Sequence, residues 1–271
     1  MTDTIFKTLY QEAYRFLIKN TEKGFMEKQL VCSKYPTAET LNDVYRCLLD
    51  ALIFTKRMKE IIGPAETLAE FVFGFDPIKT YSHYGDQWEK INEKMNPQLG
   101  PFGSSEKDKQ EVYYELFCRG ALSGASFLTQ LGSIETFKAF IKSFQNNDMS
   151  TAVLPLLLQR VIHGMSFPMA CAFLYNAGHP EYISPAPKVK ALLEDIGIIE
   201  SMDNYEALKT LIIISRINQK PTNHIHKMFL LIGNGTLSED GNKDQRFRKE
   251  FIGHIIPILN CFNFHPQQIQ T

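Results

Sequence analysis

The sequence predicts an all-α fold, and three observations predict it. Apolar residues recur three and four apart along most of the chain, as in Ile5, Leu9, Phe16 and Leu17, or Leu41, Val44, Leu48 and Leu52. No alternating run is long enough for a strand, and the β-branched stretch 211–214 sits inside a helical period. Capping residues and Gly/Pro stops fall at the ends of the periodic segments. Of 271 residues, 44% are hydrophobic and 20 are Phe, so a sizeable core can be buried.

Taken in order, 4–18 reads as an amphipathic helix and 20–36 as less regular. Thr37 or Thr40 caps a long helix over 41–62, stopped by Gly63-Pro64. A further apolar helix covers 65–73. The segment 75–101 holds Tyr81, Tyr84 and the single Trp, Trp88, and reads as loops around a short helix over 86–94. Helices resume over 110–131 and 133–144, the second with Glu135 in its first turn, where the helix dipole favours an acid. The stretch 154–198 gives two helical runs joined by a tight turn, a Pro-rich loop and a third helix. Helices over 204–217 and 221–232 follow, the latter ended by Gly233-Asn234-Gly235. A polar turn covers 237–244, and a last helix over 246–261 is expected to be interrupted near Pro257. The Pro/Gly punctuation at 97–103 marks a subdomain boundary, giving parts 1–103 and 104–271 of one compact unit.

Composition narrows the function classes. The net charge is -1 and the isoelectric point about 6.7, which argues against a uniformly basic coat and leaves room for a local basic face. The N-terminus carries acids early and lacks an uninterrupted apolar core, and no run of about 18 apolar residues occurs, so neither a secretory signal nor a membrane span is expected. The five cysteines, Cys32, Cys47, Cys118, Cys171 and Cys261, form no CxxC pair. They read as reduced, mostly buried thiols of a cytoplasmic protein rather than ligands of zinc or an iron–sulfur cluster. His224 and His226 are two apart and would not share a helix face; His163, His179 and His254 have no ligand spacing. No metal site, cofactor, Walker motif or nucleophile elbow is expected.

The turn at 162–170 carries the functional reading. Gly164 supplies unusual backbone angles, Ser166 can cap the next helix, Pro168 suits its first turn, and Ala170 lets the two helices approach. Such a turn presents backbone N–H groups at a helix N-terminus, a natural place for a phosphate oxygen; it also occurs as an ordinary connection between helices.

This region resembles the helix-hairpin-helix DNA glycosylase superfamily. Gly164-Met165-Ser166 matches the family's Gly-Val-Gly with one Ser for Gly, and Ala170 matches its closing Ala. Residues 171–178 match the intervening helix, 185–189 the Pro-Val-Asp loop, and Ile196-Gly197-Ile198 the closing Leu-Gly-Leu. Weaker likeness extends to 120–125 and 229–235. The resemblance implies a two-lobed helical fold, binding of double-stranded DNA, and base excision by cleavage of the N-glycosidic bond. At the matched positions, however, the family's nucleophilic lysine is Pro168, its aspartate is Ala186 and its histidine is Lys188. A proline ring cannot attack a sugar carbon, and a methyl group cannot stabilise a cationic sugar.

Glu181 and Lys188 are the remaining candidates for acid–base or nucleophilic work, and each also reads as a solvated surface charge. Glu194 and Asp195 read as an exposed helix face. The resemblance puts DNA contacts at Gly164, Met165, Ser166, Lys188 and Lys190. Lys209, Arg216, Lys220 and Lys227 extend a basic segment, either a DNA-facing side or scattered surface charge. Tyr81, Tyr84 and Trp88 are either the walls of a pocket for a flipped base or a core cluster. A helical protein-interaction role without catalysis is the competing class.

Overall fold

The structure is a computed structural model that describes residues 2–22, 24–30, 37–95, 104–235 and 245–262. The described residues form helices joined by turns and loops, with no strand among them. In order, the helices are α1 (Thr2–Asn20), α2 (Phe25–Leu30), α3 (Leu41–Leu52), α4 (Lys56–Ile62), α5 (Pro77–Tyr84), α6 (Trp88–Met95), α7 (Ser104–Leu131) and α8 (Ile134–Phe144). They continue with α9 (Asp148–Val161), α10 (Phe167–Asn176), α11 (Pro187–Asp195), α12 (Asn204–Asn218), α13 (Thr222–Asn234) and α14 (Gln245–Asn260).

Caps set most of these starts. Thr40 accepts from the Asp43 amide while the Asp43 carboxylate accepts from the Thr40 amide, a reciprocal box that opens α3. Ser133, Asn147 and Asp203 do the same work for α8, α9 and α12 by accepting from amides two or three residues on.

Three elements differ from expectation. The helix expected over 41–62 is two, because Thr55 caps a new helix by accepting from the Met58 amide. The segment 65–73 is a short 3₁₀ helix followed by turns, in which Phe73 (φ 51°) and Phe75 (φ 64°) take left-handed backbone conformations. A full helix, α5, occupies 77–84, started by Asp76 as cap and Pro77 in its first turn. In addition, α14 runs on through Pro257 to Asn260 rather than breaking. The passages 97–103 and 237–244 lie outside the described residues.

Packing divides the chain into two units, Met1–Lys34 with Pro180–Thr271, and Tyr35–His179. The division does not run at residue 103. The reason is α1, whose buried stripe Ile5, Leu9, Ala13 and Leu17 packs on a core supplied by the C-terminal helices, including Leu211, Phe229 and Phe251. There α13 is central, touching α1, α2, α11, α12 and α14. In the other unit the 28-residue α7 is the axis, flanked by α3, α4, α5, α6, α8 and α9. No helix among the described residues is long and apolar enough to cross a membrane.

Candidate nucleic-acid interface

The helical hairpin is present: α9 ends at Val161, the chain reverses through 162–166, and α10 restarts at Phe167. Gly164 sits at φ +71°, a left-handed conformation that strains any side chain, and a Cβ there would lie 2.6 Å from Leu116 Cδ1 of α7, so that leucine would have to shift. Gly120 of α7 is held to glycine by the same turn, since its Cβ would lie 2.8 Å from the His163 carbonyl oxygen. Ser166 caps α10 by accepting from the Met169 amide, and Pro168 lies in the first turn, where no N–H is missed.

The turn was expected to leave several amides free, and only part of that is seen. The His163 amide donates to Ser123 Oγ of α7 at 2.9 Å. The Met165 amide donates to the Ile162 carbonyl at 3.2 Å, and the Ser166 amide meets Met169 Sδ at 3.4 Å. Among the described residues, the amides of Gly164 and Phe167 have no acceptor. Gly164 is exposed, Ser166 half-buried, and the Met165 side chain is buried at 3% exposure, so Met165 can present only backbone to a partner. His163 and Arg160 are exposed beside the turn.

The second matched segment lies in the other unit. Ala186 precedes α11 without a side-chain cap, and its amide donates instead to His226 Nε2 of α13 at 3.1 Å. Burial pushes the His226 imidazole down to about 4, with Lys227 adding to the shift, so it is neutral near pH 7 and its Nε2 lone pair faces the amide. His224 points elsewhere, its Nε2 3.4 Å from the Tyr10 hydroxyl of α1. The two histidines thus serve separate contacts. Glu181 is half-buried in the loop before α11.

The basic residues divide by environment. Lys188 is exposed in the first turn of α11. Lys190 is half-buried, its ammonium donating to Asn204 Oδ1 at 2.7 Å, so it braces α11 against α12. Lys209 is 3% exposed and pairs with Glu206 over the Tyr205 ring, which removes it from any surface. Arg216 and Lys220 are exposed, and Lys227 is half-buried. Lys188 also lines a hollow of about 480 Å³ with Arg248, Lys249 and Gly233, a grouping that sequence reasoning missed because Arg248 and Lys249 are 60 residues downstream.

The aromatic trio divides too. Tyr84 is 2% exposed and donates to the Phe71 carbonyl at 3.1 Å, so it is core. Tyr81 is half-buried. Trp88 is half-buried with the Arg119 guanidinium 4.6 Å above its ring. Arg119 and Leu116 are one turn apart on α7, so Trp88 and the hairpin meet the same stretch of that helix. Burial pushes the Cys47 thiol up to about 11 and Cys118 up to about 12, and raises Cys171 as well; Cys261 is exposed, and Cys32 lies outside the described residues.

Compared with known proteins, the chain matches no family model, no curated protein and no solved structure.

Proposed function

We propose that this protein is a duplex-DNA-binding member of the helix-hairpin-helix glycosylase class that does not excise bases with the class's own catalytic groups. One observation carries the binding half. An exposed left-handed Gly164 leads a capped helix, and the Gly164 and Phe167 amides there remain unspent, the arrangement that holds a phosphate oxygen. The order of parts supports it: hairpin, α10, Pro-rich loop, α11, then Gly197 at φ +69°, distributed over two helical units. Lys188, exposed in the first turn of α11, supplies a charge at a matched position. The catalytic half rests on Pro168, whose ring nitrogen is an amide nitrogen of the α10 backbone, and Ala186, whose methyl has neither an acidic proton nor a lone pair.

Gly164→Glu is a poor test of binding, because at φ +71° any side chain strains the turn itself. His163→Glu keeps the backbone and places a carboxylate beside the unspent amides. It should weaken binding of a short labelled duplex by about tenfold, the cost of turning a phosphate contact into a repulsion, with unchanged melting temperature. Equal affinity would remove the hairpin from the interface. A panel of duplexes bearing damaged bases should yield no abasic product; product from any of them would restore catalysis.

A second reading is favoured by α9, where Met149, Val153 and Leu156 are 50%, 38% and 38% exposed and lie four and three residues apart on one face. A protein partner would use that face. Under the DNA reading, Leu156→Asp leaves duplex affinity unchanged.

A further inference from the structure

The Pro180–Thr271 part of the chain holds a group of charges that duplex binding by the hairpin does not use. Lys188 from α11 and Arg248 and Lys249 from α14 line one hollow of about 480 Å³, floored where α13 touches α11. The approach is close: a Cβ on Gly233 would lie 2.7 Å from the Lys188 carbonyl oxygen, so only glycine permits it. Ligand pockets commonly measure about 300–1,000 Å³, so the hollow is of small-molecule size.

Among the described residues its charge does not cancel: Asp195 is the one acid they place on its wall, and that carboxylate is engaged by the Arg248 guanidinium. The pair fixes the guanidinium in place. Lys188 and Lys249 line the hollow and have no acidic partner among the described residues. The Arg248 Nε–H is buried and has no acceptor among the described residues.

We propose that this hollow is a binding site for the phosphate group of a nucleotide-sized small molecule. A phosphate offers several strong acceptor oxygens and up to two charges, matching one braced guanidinium and two mobile ammonium groups. Ile252 gives the same hollow an apolar wall against which the rest of the ligand can lie. The site holds whether or not the hairpin binds duplex.

Calorimetric titration of the full chain with inorganic phosphate, pyrophosphate and adenosine monophosphate tests it, with a 5′-phosphorylated oligonucleotide as a further arm. Binding of the small phosphates is expected, weakened about tenfold in Lys249→Glu and retained in Lys249→Arg. His163→Glu should leave it untouched, which separates this site from the hairpin. Arg248→Gln should weaken it as well, and because Lys249 is exposed its variants should fold normally. Binding of the oligonucleotide alone, lost in Lys249→Glu, would overturn the small-molecule source and assign the hollow to a nucleic-acid phosphate. No phosphate binding at millimolar concentration, or binding indifferent to both residues, would overturn the site altogether.

Discussion

The hairpin turn and the Pro-rich loop both carry the glycosylase likeness, and they satisfy their backbones by different means. The turn is held by α7: Ser123 accepts one amide, Gly120 admits the His163 carbonyl, and Leu116 closes on Gly164. In the loop, the His226 side chain takes the Ala186 amide. The turn therefore depends on shape, and no titrating group holds it. The loop depends on a protonation state. What each leaves outward differs as well, since the turn offers bare amides and the loop's helix offers the charge of Lys188.

The largest effect should come from breaking the shape. Gly164→Val forces a branched residue into the left-handed region and onto Leu116, and should cost about 4 kcal/mol in urea denaturation, combining backbone strain with overpacking. Leu116→Ala in the same chain should recover part of that loss. A cost below about 1 kcal/mol, within the range of an ordinary surface change, would mean the turn is not fixed by α7.

The next effect sharpens the other side of the comparison. His226 is depressed from 6.5 to about 4 in the fold, so between those values the unfolded chain binds more protons than the folded one. Its contribution is therefore fully present above pH 6.5 and lost as pH falls toward 4, by roughly 3 kcal/mol in all. The difference between the wild type and His226→Gln, measured by denaturation across that window, should show this slope. A flat difference would contradict the downward shift that burial gives the His226 imidazole. Smaller still, Ser123→Ala should cost about 1 kcal/mol for the lost bond to the His163 amide. Under the DNA reading it leaves duplex binding intact, because it frees a donor at the turn.

Much of the helical frame was legible in the sequence. The starts expected at Ser133 and Asn204 fall where the structure has Ile134 and Asn204, and Gly235 at φ +66° stops α13 as the Gly-Asn-Gly run implies. The break after α3 was hidden because Leu52, Thr55 and Met58 keep the three-residue spacing across it; only the capping capacity of Thr55 could have shown it. Asp76-Pro77 is a strong start signal that was read as a loop among aromatic residues.

The turn's geometry at Gly164 and Ser166 was also readable, because special backbone angles demand special residues. How many of its amides stay unspent was not. That depends on Ser123, 40 residues upstream, and on Met169 folding back. Nor could spacing show that Lys209 is buried, since its partner Glu206 and the Tyr205 ring make a lysine tolerable inside. The discontinuous unit was likewise out of reach, because contacts between the two ends of a chain leave no local pattern.

The most direct test of duplex binding through the hairpin is its salt dependence, in wild type and in His163→Glu. The account predicts that log affinity falls linearly with log salt, and that the slope shrinks by about one phosphate contact in the variant. Binding that ignores salt, or a slope unchanged by His163→Glu, would contradict it.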